Sequence, residues 1–414
     1  MIHNENSRVK IPALVHLTRL GYKYIKQKDC SGAYCPKTNI FKGILRDNIN
    51  RLNGTALTEA DVDSLVEELA IKLNTDDLGR AFYKILLSGF NGLRLIDLED
   101  ESRNSYHVVT ELTYQNGEDE FRPDITLLVN GLPLAFIEVK KPNNRDGIIA
   151  EHTRMNKRFA KKVFRRFANI TQIMVFSNNM EYDDNDVEPI EGAFYASSSY
   201  EKLFFNRFRE EDPTIHSSVR PVDSNIEETI LMDNNLVTIK GTEEYALNID
   251  EHTPTNRILT SLFTHSRFNM FLKYGFAYVE RTDKNGIKTL QKHIMRYPQF
   301  FATLAIEKKQ PHPQVGLRFM IRMKMTRIQT VTVIITTITT MMKTMTNTSI
   351  TIMTMMRTVL TTLIATTNTA IAVTTTTIMR TARKSTASVH LFTTAFVLSI
   401  RTSSSSLLRT GQRA

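Results

Sequence analysis

Residues 121 to 142 read FRPDITLLVNGLPLAFIEVKKP, and this pattern constrains the chain to a tight hairpin with one aliphatic face buried. Ile125, Leu127 and Val129 lead into Asn130-Gly131, a pair suited to a two-residue turn that needs positive φ at both central positions. Leu134 to Val139 then return. Asp124 opens the first strand and Glu138 sits on the second. Side chains alternate along a strand, so Phe136, Glu138 and Lys140 share one face and Ala135, Ile137 and Val139 the other. This predicts a displayed charged pair above a buried aliphatic set.

Two carboxylates and an ammonium on neighbouring strands are what a metal-dependent phosphodiesterase needs. Hard cations such as Mg²⁺ prefer oxygen ligands and are typically held by one or two carboxylates plus substrate phosphates. Asp124 and Glu138 are the candidate ligands. Lys140 has the charge to stabilise a phosphoryl transition state. The same triplet also fits an ordinary strand with solvated charges, which on the triplet alone is the commoner case.

The segment that follows shifts the balance. Over residues 148–167 the spacing predicts one amphipathic helix. In it Arg154, Lys157, Arg158, Lys161, Lys162, Arg165 and Arg166 alternate with Met155, Phe159, Val163, Phe164 and Phe167, and no acid occurs between Glu151 and Glu181. A solvated basic face would explain the pattern equally well by itself. Beside a candidate metal site, a surface for DNA phosphates explains it better.

The run from Arg122 through Lys140, continued by EHTRMNKRFAKKVFRRFANITQIMVFSNNMEYDDND, closely resembles the nuclease domain of the restriction (R) subunit of type I restriction-modification enzymes. Those domains belong to the PD-(D/E)xK nucleases. The resemblance implies an α/β fold with a mixed central sheet flanked by helices, restriction-endonuclease-like, that cleaves DNA with Mg²⁺. It also implies Asp124, Glu138 and Lys140 as the catalytic triplet. Where family members often carry Gln-x-x-x-Tyr, this chain has His152 and Asn156, so no site is transferred from that element. Specificity and methyltransferase subunits are the implied partners, together with ATP-driven translocation in complete relatives. No Gly-x-x-x-x-Gly-Lys-Ser/Thr loop occurs, so no ATP site is visible in this chain.

The resemblance covers roughly residues 10 to 309. ALVHLTRLGYKYI matches a first helix, and LTEADVDSLVEELAIKL a second with Thr58 as cap and Asp61 three residues on. IEGAFYASSSYEKLFFNRF reads as a strand and a helix, and KHIMRYPQFFATLAIEKK as the approach to a motor. A nuclease domain over 10–215 is expected, ending where Glu210-Glu211-Asp212-Pro213 stops a helix, and then a linker and partial helical segment over 216–309. VDSNIEETILMDNN reads as the linker. RILTSLFTHSRFNMFLKYGFAYVE reads as helical and apolar enough to need a partner surface, which the missing motor would leave exposed.

Beyond Lys309 the composition changes. From 326 to 402, 27 of 77 residues are Thr; from Lys308 to the end there are 14 Lys and Arg and no acid. Removing those 14 cations from the formal +10 leaves about −4 for the first 307 residues, so the high pI belongs to this low-complexity tail. Residues 358–379 hold ten Thr and an Asn, too polar for a membrane span, and a mucin-like stalk would call for proline, absent after Pro313. A change of reading frame fits best, because Asp, Asn, His and Tyr codons read one base late become Thr, Met and Ile codons. On this reading 310–414 is non-native or disordered.

The polar start from Met1 to Lys10 lacks an apolar signal region, which predicts a cytoplasmic chain without a membrane anchor. Cys30 and Cys35 form a lone pair, more consistent with free thiols than with zinc. The expected activity is that of a Mg²⁺-dependent DNA endonuclease of a restriction system, a hydrolase. The alternative is a non-catalytic DNA-binding or docking remnant, or the product of a disrupted gene. Glu111, Glu151 and His152 lie close enough in sequence to assist the metal or its waters, though an ordinary solvated or core-edge role is the commoner case for any one of them.

Overall fold

The computed structural model describes residues 4–142, 145–182, 191–199, 202–282, 286 and 288–307; the expected tail over 310–414 lies outside the described residues. A π-helical turn at Asn6–Lys10 runs into α1 (Ile11–Arg19). Strand β1 (Lys23–Ile25) follows, then α2 (Lys42–Asn53), α3 (Glu59–Leu73) and α4 (Arg80–Ser88). Thr58 and Asp61 close the expected capping box at the start of α3, each side chain bonding the other's main-chain N–H.

The remaining sheet strands are β2 (Tyr106–Thr110), β3 (Ile125–Val129), β4 (Leu132–Val139), β5 (Ile173–Ser177) and β6 (Ala193–Ala196). The six lie side by side in chain order. β1 and β2 pair parallel, as do β4 and β5, and the other neighbours pair antiparallel. The sheet is therefore mixed and flanked by helices, as the resemblance implies, and each parallel pair is joined by a helical crossover.

The hairpin forms where expected. Asn130 has φ 51° and Gly131 φ 84°, and a Cβ on Gly131 would lie 2.6 Å from the Phe41 carbonyl oxygen. The register shifts once. Leu127 faces Ala135 whereas Leu128 faces Pro133, so Leu134 is an extra residue in a bulge that accommodates a proline with no N–H to donate.

Alternation along the strands feeds two cores. Ile125, Leu127, Ala135, Ile137, Val139, Ile173 and Val175 pack with α1 to α4. Phe136, Met174 and Phe176 face the opposite way, onto Met155, Phe159, Phe164 and Phe167. That aromatic layer corrects the expected helix over 148–167. Helix α5 (Arg145–Phe159) ends before Ala160, a 3₁₀ turn covers Lys162–Phe164, and α6 (Arg165–Ile170) follows. In one continuous helix Phe159 and Phe164 would point about 140° apart. The break lets both reach the same sheet face.

Three further expectations are corrected. KLFFNRF is not helical: Leu203 is buried, Phe205 stacks between Phe176 and Phe194 at 4.8 and 5.6 Å, and Asn206 bridges to Tyr195. Among the described residues 202–212 no helix leads into Pro213; Asp212 instead caps a 3₁₀ turn at Pro213–Ser218. The linker-like stretch is mostly α7 (Ser224–Asp233), capped by Asp223 and buried through Ile230 and Leu231. Of the acids that read as a linker there, Asp223 is the N-cap, Glu228 lies on the exposed face, and Glu227 is buried and accepts from the Tyr245 hydroxyl at 3.0 Å.

After α8 (Glu243–Asn248), the segment expected to lie exposed forms α9 (Pro254–Phe263) and α10 (His265–Tyr274), then β7 (Phe276–Thr282), paired with β8 (Lys288–Ile294) and followed by α11 (Tyr297–Glu307). Leu259, Leu262, Phe263, Phe268 and Phe271 are fully buried in the same core as Ile125 and Val139. α7 and α9 lie against α1, and Phe300 stacks on Phe271 at 4.7 Å. The partner surface is thus α1 and the chain's own neighbouring helices. Among the described residues no helix is long and apolar enough to cross a membrane.

Candidate active site

Asp124 precedes β3 and Glu138 lies near the end of β4, on the aromatic face. They open into a cavity of about 430 Å³ whose lining includes the acids Glu120, Asp124, Glu138 and Glu151 and the cations Arg122, Lys140, Arg154 and Arg158. Asp124 Oδ2 accepts the Val139 N–H at 2.9 Å, which fixes one acid to the strand carrying the other. The Lys140 N–H donates to Ser177 O at 2.8 Å, extending the β4–β5 ladder to the base of the site.

Glu138 is not displayed as expected; it is 7% exposed, and its Oε1 is buried without a hydrogen-bond partner. Phe136, Phe176 and the helix behind them close over the position that alternation alone assigns to solvent. Burial first, and then repulsion from Asp124 and Glu151, push its carboxyl well above the usual carboxylate range. The Lys140 ammonium lies 3.4 Å from Glu151, 3.7 Å from Glu138 and 3.9 Å from Glu5, and donates to Val139 O at 2.6 Å. Burial alone would lower its pKa, but the surrounding carboxylates outweigh that and hold it raised.

Glu5 is the residue that sequence reasoning missed. It stands just before the π-helical turn at the start of α1, and burial, then Asp124, raise its carboxyl as well. Its signal in the sequence is a single acid in a polar stretch more than a hundred residues from the triplet. Of the three residues left open, Glu151 belongs to the cavity, where it is 3% exposed and bonded to Arg154. Glu111 bonds the buried Lys10, while its main-chain N–H donates to Asp124 O at 3.1 Å. His152 turns away. Its Nε2 meets Leu203 O at 2.8 Å and Asn156 accepts the Leu203 N–H, so this pair holds the 203 segment in place.

The basic residues divide. Arg154 and Arg158 face the cavity, Arg158 with its guanidinium 3.8 Å above the Phe121 ring. Lys157 and Lys162 are exposed. Lys161 pairs with Asp119, Arg165 with Asp76, and Arg166 donates to Ala70 O. The last two fasten α6 to the end of α3 and the loop after it.

The state of Glu138 has a measurable consequence. Its pKa is raised on folding, so above the ordinary carboxylate range the folded chain holds a proton that the unfolded chain has lost. Stability is full below that range and falls as pH climbs toward the raised value. Glu138→Gln should flatten this dependence and make the chain in EDTA about 1–3 kcal/mol more stable at neutral pH, the range for relieving an unpaired buried polar group. Urea unfolding of both proteins from pH 4 to 8 checks it.

Residues 2–183 match the family described as type I restriction enzyme R protein N terminus. The chain is 26% identical over 250 residues to a Methanocaldococcus jannaschii protein described as the endonuclease subunit of type I restriction enzyme MjaIXP; the match covers 48% of this chain and 22% of that protein. It is 33% identical over 161 residues to the HindI type I restriction enzyme endonuclease subunit of Haemophilus influenzae, covering 34% of this chain and 15% of the relative. The chain thus spans about a fifth of the length of these relatives. The matched region, which contains the whole hairpin, the acid cluster and the basic helices, is similar to the N terminus of type I restriction enzyme R proteins.

Proposed function

We propose that the cavity is the catalytic centre of a Mg²⁺-dependent DNA endonuclease, the cleaving part of a type I restriction enzyme. The observation that carries this is the convergence of Asp124, Glu138, Glu151 and Glu5 on Lys140 at a basic-rimmed opening. Four carboxylates with one central cation are a costly arrangement unless further positive charge arrives, and Glu138 keeps a buried oxygen without a partner. The donor set is all oxygen, which suits a hard dication.

Asp124 and Glu138 would hold the ion, with Glu5 and Glu151 close enough to orient its waters. Bound there, Mg²⁺ would polarise a phosphoryl oxygen and acidify a water. Lys140, held by its carboxylate neighbours as a full cation, would face the charge that builds on the phosphate. Arg154 and Arg158 would receive the DNA backbone at the cavity, and Lys157 on α5 with Lys161 and Lys162 beyond its end would extend that contact; Arg165 and Arg166 contribute mainly field. Phosphate contacts carry no sequence information directly, so recognition falls to a separate specificity subunit, with a methyltransferase subunit as the other partner and a cytoplasmic setting. ATP-driven translocation is expected of complete relatives, and no ATP site is seen among the described residues.

The test is a plasmid assay with the full chain at high concentration. Supercoiled DNA should be nicked with Mg²⁺ and left intact with EDTA. Folded protein that binds DNA but never nicks it with Mg²⁺ would favour the docking reading.

A further inference from the structure

Away from the nuclease cavity, three potential ligands from two segments come together beside the end of α1. His216 lies in the 3₁₀ turn Pro213–Ser218; Glu251 and His252 lie in the turn between α8 and α9. One donor atom from each falls within 4.8 Å of the other two. The imidazole rings are 5.1 Å apart, and His252 Nε2 lies 3.8 Å from Glu251 Oε1. None of these residues lines the nuclease cavity.

Two features distinguish this cluster from a chance surface grouping. His216 Nδ1 is buried without a hydrogen-bond partner, an unmet need in a side chain facing another imidazole. The second is outer support. Arg19 donates to Glu251 Oε2 at 2.9 Å, leaving Oε1 toward the histidines, and to Ile249 O at 3.2 Å. Asp250 accepts the His252 N–H at 2.7 Å, and Asn256 donates to Asp250 O at 2.7 Å. Across the gap Asp212 caps the turn that carries His216. Ligands on fixed backbone with a hydrogen-bonded carboxylate are the usual support of a metal site.

We infer that His216, Glu251 and His252 form a binding site for a borderline transition-metal dication, Zn²⁺ being the natural occupant, with water completing the coordination. Two imidazoles and one carboxylate suit Zn²⁺ rather than Mg²⁺ or Ca²⁺. Metal–ligand distances of about 2.0–2.1 Å put tetrahedral donors roughly 3.3 Å apart, so the exposed His252 ring has to swing inward by ~1.5 Å. The ion would clip the Pro213–Ser218 turn to the start of α9 and so hold two segments distant in sequence against α1.

The experiment is a Zn²⁺ titration by calorimetry on the full chain, stripped with EDTA and dialysed, alongside His252→Ala, His216→Ala and Asp124→Asn. A Zn²⁺ equivalent of at least micromolar affinity should persist in Asp124→Asn, which disables the nuclease site. In both histidine variants it should weaken by more than the roughly 10–100-fold that loss of an outer-shell partner costs. Zn²⁺ should also raise the melting temperature of the parent and of Asp124→Asn but not of His252→Ala. His252 is 66% exposed, so its variant folds even if His216→Ala does not. The inference is overturned by absence of micromolar Zn²⁺ binding, by binding unchanged in His252→Ala, or by binding that disappears in Asp124→Asn.

Discussion

Lys140→Met and Asp124→Asn should each lower Mg²⁺-dependent nicking by about 10²–10³, the range for loss of one preorganised electrostatic contact to a transition state, yet they should do so in opposite ways. Asp124→Asn weakens the hold on the ion, so its residual rate should rise with Mg²⁺ concentration. Asparagine is a better choice than alanine here, because Asp124 also accepts the Val139 N–H, and its removal would strand a buried donor at about 1–3 kcal/mol. Lys140→Met removes the cation at the centre of four carboxylates, so the ion should bind at least as tightly while the slow step becomes slower. Its Mg²⁺ midpoint should therefore fall or stay level as its maximal rate collapses. In EDTA the Lys140 variant should unfold earlier than the parent, and Mg²⁺ should restore most of the loss, because the ion takes over the missing positive charge. Nicking rates across a Mg²⁺ titration, paired with thermal unfolding at each point, separate the two behaviours. A Lys140→Met protein that cleaves at the parental maximal rate would show that the lysine only balances charge.

What the sequence discloses about this site follows from how local the determinants are. Asn130-Gly131 specifies the turn by itself, and period-two alternation on either side specifies which side chains share a face, so Asp124, Glu138 and Lys140 could be placed together from a 22-residue window. The capping box at Thr58 and Asp61 is equally local. Glu5 is not local: nothing near it in the chain says that the turn before α1 lies under Lys140, and only tertiary packing brings it there. The depth of Glu138 escapes for a related reason, since alternation assigns a face but not what covers it. Phe176 comes from another strand, and Phe159 and Phe167 come from helices whose break the sequence does not announce. Helical periodicity could not separate α5 from α6, because the basic pairs 157/158, 161/162 and 165/166 recur every four residues straight through the break, and a three-residue turn shifts the phase without a glycine or proline to mark it. Within the apolar stretch from Arg257 to Glu280 the need for a partner and the helices α9 and α10 were legible, whereas Phe276 to Glu280, read as helix, form part of β7. The identity of that partner was not, because α1 lies more than two hundred residues upstream.

The largest stability effect should come from Glu111→Ala, and a comparison with Lys10→Met shows why. Lys10, in the turn that follows Glu5, is 1% exposed, and its ammonium is held by Glu111, which is itself 31% exposed in its side chain and also reached by Arg122 at 3.7 Å. Removing the acid strands a buried cation, which typically costs about 3–5 kcal/mol. Removing the cation leaves a carboxylate that still has water and a guanidinium, and methionine fills much of the same space, so Lys10→Met should cost no more than about 1.5 kcal/mol, the worth of an ordinary hydrogen bond. The double variant should accordingly be more stable than Glu111→Ala alone, an outcome that additive contacts could not produce. The pair matters to the site because it joins the turn beside Glu5 to residue 111, whose left-handed backbone (φ 52°) carries the N–H bonded to Asp124 O. Urea unfolding of the four proteins gives the cycle directly. If the double variant is as unstable as the sum of the single ones, Glu111 supports the fold through its backbone conformation and not by neutralising Lys10.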